Sequence, residues 1–240
     1  MQQSSVKPIY EGKAKQLFPG PESGQYIMRF KDSATAFNAK KKAEIENKGA
    51  LNLRISSKIF EYLQKNGVES HYVRTINERE MVVKAVQIIP IEVVVRNIAA
   101  GSLCKRLGIQ EKIEISPALV EFFFKSDPLD DPILTDDHIR IMKLATPDEL
   151  TELRRLALKV NDLLQSFFKS LDIILVDFKV EFGRDKDGKI LLADEVTPDG
   201  CRLWDAKTLD ILDKDRFRKD LGGLAQAYEK VLSRIEQGHA

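Results

Sequence analysis

Residues 174–196 constrain the fold more than any other stretch of the chain. Ile174-Leu175-Val176-Asp177-Phe178-Lys179-Val180-Glu181-Phe182 alternates strictly at its polar end. A strand built from it carries Asp177, Lys179 and Glu181 on one face and Val176, Phe178, Val180 and Phe182 on the other. Asp187-Gly188, inside the polar segment Gly183 to Lys189, is a favoured pair for a two-residue hairpin loop, and Ile190 to Val196 supplies the return strand. With that loop Lys186 faces Lys189, and Glu181 falls directly opposite Asp194 with Cβ atoms about 4.5–5.5 Å apart. Opposed carboxylates repel, so this register asks for a cation between them. A hard divalent ion such as Mg²⁺, its shell completed by nucleotide phosphates, suits two carboxylates. A three-residue loop with a bulge would shift the facing, and a solvated strand face neutralised by Lys179 is the alternative reading.

Charge balance narrows the partners. Lys and Arg number 38 against 37 Asp and Glu, so there is no basic excess of the kind that nucleic-acid or membrane-surface proteins carry. A highly charged ligand must be met by local clustering instead. The 240 residues, 43% of them hydrophobic, can bury one large core or two smaller lobes sharing a cleft. Cys104 and Cys201 are far apart and form no Cys-x-x-Cys pair, which fits a reducing cytoplasm. The first ten residues carry no apolar run, predicting no signal peptide, and no stretch reaches the roughly 18 apolar residues of a membrane span.

Along the chain, residues 1–88 read as a mostly β lobe with one helix and 89–240 as an α+β lobe. Tyr26 to Phe30 forms a strand, and a helix from about Leu51 to Gln64 places Ile55, Ile59, Phe60 and Leu63 on one face, with Gly67 just past its end. Pro90 interrupts two β-branched runs and is the candidate hinge or crossover. Thr146-Pro147-Asp148-Glu149 is a helix start with a capping box, and Leu150, Leu153, Leu156, Ala157, Val160, Leu164 and Phe167 follow it at helical spacing. A last helix begins near Asp213 or Arg216 and runs to Ile235, weakened early by Gly222-Gly223. The mixture of hairpins and helices favours α+β over a doubly wound parallel sheet.

After the hairpin, Pro198-Asp199-Gly200-Cys201-Arg202-Leu203-Trp204-Asp205 brings a turn, an Arg and the single Trp beside the carboxylate pair. Together with residues 176–183 and Asp194-Glu195, this segment resembles the C-terminal signature of the phosphoribosylaminoimidazole-succinocarboxamide synthase (SAICAR synthetase) family. Tyr10 to Lys15, Val94 to Leu103, Phe123 to Asp127 and Asp213 to Arg218 agree in order and spacing, so the resemblance runs from about Lys7 to Leu232. It implies an ATP-grasp-like, two-lobed fold of antiparallel sheets and packed helices, with ATP in the inter-lobe cleft. The implied reaction uses ATP and Mg²⁺ to join L-aspartate to 4-carboxy-5-aminoimidazole ribonucleotide (CAIR) through an acyl phosphate, and a homodimer is implied as well.

Lys13 and Lys15, two apart, would project together from a β-hairpin lid. The resemblance puts them, with Lys125 at the end of an apolar strand, beside the ATP phosphates, where compact cations are suited. Glu181 and Asp194 become the metal ligands, and Lys179 the catalytic cation on the same face. Arg96 precedes Gly101-Ser102, where glycine permits close approach and a helix start can face an anion. The resemblance places the nucleotide substrate on Arg96 and Ser102, with Arg202 and Arg218 holding its phosphate or carboxylate bidentately. An ion pair with Asp215 or Asp220 is the alternative for Arg218. In the loop Asp32 to Asn38 some members carry Ser-Ala-x-Asp-Gly where this chain has Thr35-Ala36-Phe37-Asn38-Ala39, so no catalytic role is assigned to Asn38. His71, His138 and His239 are isolated and read as surface or helix-cap residues, and Cys104 as a packed small hydrophobe. A small-molecule kinase and a non-catalytic nucleotide-binding protein are the rival readings.

Overall fold

The computed structural model describes residues 7–36 and 40–238. In chain order they form β1 (Tyr10–Glu11), β2 (Lys15–Pro19), β3 (Gln25–Phe30), β4 (Ser33–Ala36), β5 (Lys41–Glu44), α1 (Lys48–Lys65), β6 (Tyr72–Thr75) and β7 (Glu80–Lys84). There follow β8 (Gln87–Ile98), α2 (Ser102–Leu107), β9 (Glu114–Phe124), β10 (Ile133–Leu134), α3 (Asp136–Ile141) and α4 (Pro147–Lys169). The chain ends in β11 (Ile173–Arg184), β12 (Ile190–Ala193), β13 (Cys201–Asp205), α5 (Asp215–Arg218) and α6 (Leu224–Gly238). A five-stranded sheet runs β1-β2-β3-β7-β6, and a six-stranded sheet runs β10-β9-β8-β11-β12 with β13 also on β11. Every pairing in these sheets is antiparallel, as expected for α+β.

The apolar stripes meet in one continuous core. Ile55, Ile59 and Phe60 of α1, Phe178, Val180 and Phe182 of β11, and Val231 and Ile235 of α6 are all buried in it. Each such side chain contributes about 1.5–3 kcal/mol on leaving water. α1 contacts β3 and β6 and packs along α6, while α4 lies across β11 and β8. The predicted stripe of α4 is the buried one. Its capping box is present: Glu149 N donates to the Thr146 hydroxyl at 3.2 Å and Thr146 N donates to Glu149 Oε2 at 2.8 Å. Thr146→Ala should therefore cost about 1 kcal/mol. For a chain of this size that is a fall of roughly 2–4 °C in Tm, readable by thermal unfolding.

Three expectations are corrected. Pro90 does not end a strand: β8 continues from Gln87 through it to Ile98, and the break from β7 lies at residues 85–86. Its register with β11 shifts between Glu181 and Gly183, and in that bulge the missing proline N–H costs no ladder bond. Gly222 and Gly223 adopt left-handed φ of 66° and 63°, so they separate α5 from α6 rather than weaken one helix. The hairpin pairs Glu181 with Ala193 and Arg184 with Ile190. Its turn is closed at Asp185 and Lys189, with Gly188 at φ 80° and the Asp185 carboxylate accepting from the Asp187 and Lys189 amides, both at 2.9 Å. That side-chain bridge selects a three-residue loop. Asp194 accordingly stands one residue beyond the pairing with Glu181, not opposite it.

Candidate active site

The other neighbour of β11 supplies the opposed carboxylate. Glu92 of β8 lies directly across from Glu181, and the cation between them is Lys179, 2.5 Å from Glu92 and 3.4 Å from Glu181. The repulsion read from the sequence between Glu181 and Asp194 gives way to one between Glu181 and Glu92, which a lysine two residues away on the same strand face relieves. Around this trio opens a cavity of about 700 Å³. Lys13, Lys15, Arg96, Ser102, Lys125, Lys179, Glu181, Asp194, Arg202 and Arg218 all line it, so the structure brings every predicted site residue to one place.

One end of the cavity is built of lysines and carboxylates. Lys15, on β2, is ion-paired to both Asp194 and Glu195, and Lys125, just past β9, is paired to Glu181. Lys13 sits in the turn between β1 and β2 rather than on a strand, and bonds Asp127 at 2.6 Å. Glu181 is 2% exposed. Burial alone would raise its carboxyl, but the charges of Lys179, Lys125 and Lys15 outweigh that and hold it at about 2. Burial also opposes the charge of Lys179, yet Glu181 and Glu92 keep its ammonium well above the ordinary lysine range. Asp194 is pushed up to about 7 by burial, and Lys15 is pushed well down by burial, with Lys125 and Lys179 adding repulsion. Four lysines here face five carboxylates, Glu92, Asp127, Glu181, Asp194 and Glu195, so a polyphosphate held by the lysines calls for a cation on the carboxylates it displaces. Among the described residues no group of three or more His, Cys, Asp or Glu could hold a metal unaided. Glu181 and Asp194 offer two hard carboxylates, a donor set that fits Mg²⁺ when phosphate and water oxygens supply the rest.

The other end is an alternating ladder of arginines and carboxylates. Arg96, 2% exposed, donates to Glu121 at 2.7 Å, to Asp177 at 2.9 Å and to the Ser102 hydroxyl at 3.2 Å. Arg202 donates to Asp177 at 2.8 Å and Asp215 at 3.0 Å, and Arg218 to Asp215 at 2.5 Å. Burial works against the Arg202 charge, but Asp177 and Asp215 more than restore it. Gly101 is required here: its φ is 57°, and a Cβ would run into the Arg202 guanidinium. The ion pair expected as the alternative for Arg218 is present, and the residue faces the cavity as well.

Several cavity residues went unassigned from the sequence. Asp177 shares the polar face of Lys179 and Glu181, so alternation alone pointed to it. Asp199 joins Lys48, Asn52 (Nδ2 at 2.9 Å) and the Tyr228 hydroxyl (2.7 Å), and the signal was a Lys and an Asn at the end of the apolar stripe of α1. Lys214 lines the cavity too, its ammonium pushed down to about 8 by burial. Trp204 pairs with Ile174 at the far end of β11 and does not line the cavity, correcting the expectation that it neighbours the carboxylates. Cys201 does line it, but burial drives its thiol far up, away from nucleophilic use. His71 is not a surface residue: it is buried, and its Nε2 lies 2.8 Å from the Asp194 carbonyl. Burial pushes it down to about 3, so the ring is neutral and carries its proton on Nε2. His138 is the helix-cap residue expected, whereas Asn38 and His239 lie outside the described residues.

A family model described as SAICAR synthetase matches residues 8–235. The chain belongs to the SAICAR synthetase family. It is 56% identical over 229 residues to the phosphoribosylaminoimidazole-succinocarboxamide synthase of Persephonella marina, covering 95% of this chain and 96% of that one. The crystal structure of the Ehrlichia chaffeensis synthase superposes with a TM-score of 0.93 at 43% identity, covering 96% of this chain and 98% of the other. A SAICAR synthetase solved in complex with ADP superposes with a TM-score of 0.91 at 45% identity over 94% of this chain and 96% of that one. The antiparallel α+β architecture described above is therefore that of SAICAR synthetases, for which ATP-grasp-like is a loose description. Among the described residues no helix is long and apolar enough to cross a membrane.

Proposed function

We propose that this SAICAR synthetase joins L-aspartate to CAIR with consumption of ATP, giving SAICAR, ADP and phosphate. The observation that carries the reading is one cavity with a lysine-rich end and an arginine-rich end meeting at Asp177, Lys179 and Glu181 on a single strand. A free carboxylate is a poor acceptor for an amine, so it must first be activated. In this reading a carboxylate oxygen of CAIR attacks the γ-phosphorus of ATP, the bond to ADP breaks, and an acyl phosphate forms. The α-amine of L-aspartate then attacks the acyl carbon, loses a proton, and expels phosphate as the amide forms.

Lys13, Lys15 and Lys125 would hold the polyphosphate, and Lys179 would stabilise charge on the transferring phosphoryl group. Glu181 and Asp194 would hold Mg²⁺, which when bound supplies charge neutralisation at the phosphate oxygens. Arg202, Arg218 and Ser102 would receive the nucleotide's phosphate and carboxylate, backed by Arg96. Loss of Arg96 also leaves Asp177 with Arg202 as its one arginine partner among the described residues. Arg96→Ala should accordingly raise the KM for CAIR by roughly 10–100-fold, as for a charged hydrogen bond, while the KM for ATP moves little. Steady-state kinetics in each substrate checks this.

The division into lobes 1–88 and 89–240 with ATP between them belongs to the same proposal, supported by one sheet ending at Lys84 and the next beginning at Gln87. So do a homodimer, to be tested by sedimentation, and a cytoplasmic setting, which suits two free buried cysteines. The deciding assay is ADP release with ATP, Mg²⁺, CAIR and L-aspartate, each omitted in turn. ADP only from the complete mixture, with a product mass equal to both substrates less water, is the expected result. ADP formed without aspartate would instead indicate a kinase or a leaky acyl-phosphate step, and none at all a binding protein.

A further inference from the structure

We propose that His71 is a positioning residue for Asp194 and Glu195, setting from behind the wall of the cavity the two carboxylates that meet Lys15. The proposal rests on the reading above that Asp194 serves the ATP and metal end of the site. β12 ends at Ala193, and Asp194 follows with φ 62°, a left-handed conformation that aspartate adopts more readily than most residues with a Cβ. The chain turns at this residue, and the turn is what carries the Asp194 and Glu195 side chains to Lys15.

The contacts that hold the turn converge on His71. Its backbone N–H donates to the Leu192 carbonyl at 2.8 Å, and its ring Nε2 donates to the Asp194 carbonyl at 2.8 Å. One residue thus grips two carbonyls that straddle Ala193. The second grip fixes the peptide plane between Asp194 and Glu195 and so the direction in which both side chains leave the chain. His71 is itself held: its carbonyl accepts from Lys84 N at 2.7 Å, Glu69 O accepts from Leu192 N at 3.0 Å, and the Phe60 ring lies 5.6 Å from the imidazole. The contact therefore joins the five-stranded sheet, through β6 and β7, to the hairpin of β11 and β12. His71 touches no lining carboxylate directly and acts through the backbone alone.

The test compares His71→Phe, which keeps the packing against Phe60 but removes the donor, with His71→Gln, which returns a neutral N–H at similar reach. Asp194→Asn is measured alongside. His71→Phe should raise the KM for MgATP and the Mg²⁺ concentration for half-activity by about tenfold, the effect of one hydrogen bond, while the KM for CAIR stays within about twofold. His71→Gln should return both to within about threefold of the parent. The proposal is overturned if His71→Phe leaves the MgATP and Mg²⁺ requirements unchanged while Asp194→Asn impairs them. It is equally overturned if His71→Phe loses all substrates together without rescue by glutamine, which marks a folding role only. Unchanged requirements in Asp194→Asn would remove the reading of the site itself, and this proposal with it.

Discussion

Glu181→Gln is expected to lower turnover by on the order of 10³-fold while the circular dichroism spectrum and the cooperativity of unfolding stay native. The glutamine is the same size and occupies the same buried position on β11, so packing in the core is undisturbed. What changes is charge. In the parent one carboxylate answers Lys125, part of Lys179 and, at longer range, Lys15. Without it Lys125 loses its ion pair while Lys15 keeps Asp194 and Glu195 and Lys179 keeps Glu92, and the carboxylate proposed to share Mg²⁺ with Asp194 is gone. Near-normal Mg²⁺-dependent activity in the variant would remove the metal assignment. The same substitution has a pH signature. The folded Glu181 carboxyl sits at about 2 against an ordinary 4.5, so its ionised form is favoured by folding. That contribution, on the order of 3 kcal/mol, is present above pH 4.5 and is lost as pH falls through about 2. Urea midpoints of parent and variant should therefore converge on acidification across that window. A constant gap would show that the lysines do not hold this carboxylate ionised.

Much of this site was legible because strand alternation is a local property. Asp177, Lys179 and Glu181 had to share a face whatever the turn did, and the capping box at Thr146 and the apolar stripe of α4 are equally local. The register was not. It depended on Asp185, whose carboxylate gathers two amides and selects the three-residue loop over the Asp-Gly pair inside it. A one-residue slip sufficed to move Asp194 from opposite Glu181 to a turn beyond it, and to make Glu92 the true opposed carboxylate. Pairing of β8 with β11 joins residues about ninety apart in the chain, which no window of sequence reveals. His71 was invisible for the same reason: its partner carbonyl lies 123 residues away, just past a strand of the other sheet, and a backbone acceptor leaves no residue-type signature.

Lys48→Met is expected to cost about 3–5 kcal/mol, because it strands a buried carboxylate while leaving the aliphatic stem's volume filled. Lys48 is 1% exposed, on the first turn of α1, and its ammonium meets Asp199 in the turn that leads to Arg202. Burial alone would raise the Asp199 carboxyl, but Lys48 and Lys214 together with the Tyr228 hydroxyl hold it well below the ordinary range. The ion pair therefore ties α1 and α6 to the turn at the arginine end of the cavity. At roughly 2–4 °C per kcal/mol for a chain of this length, Tm should fall by about 10 °C. A cavity effect and a charge effect are separable by adding Asp199→Asn. Among the described residues Asn52 Oδ1 is a buried acceptor without a partner, and once the Asn52 amide turns over to present it, an asparagine at 199 can offer it a donor while still accepting from Tyr228. The double variant should recover at least half of the lost stability, although its activity stays low because residue 199 lines the site. A single variant within about 1 kcal/mol of the parent, or a double variant no more stable than the single, would show that the buried pair is not what fastens α1 to this turn.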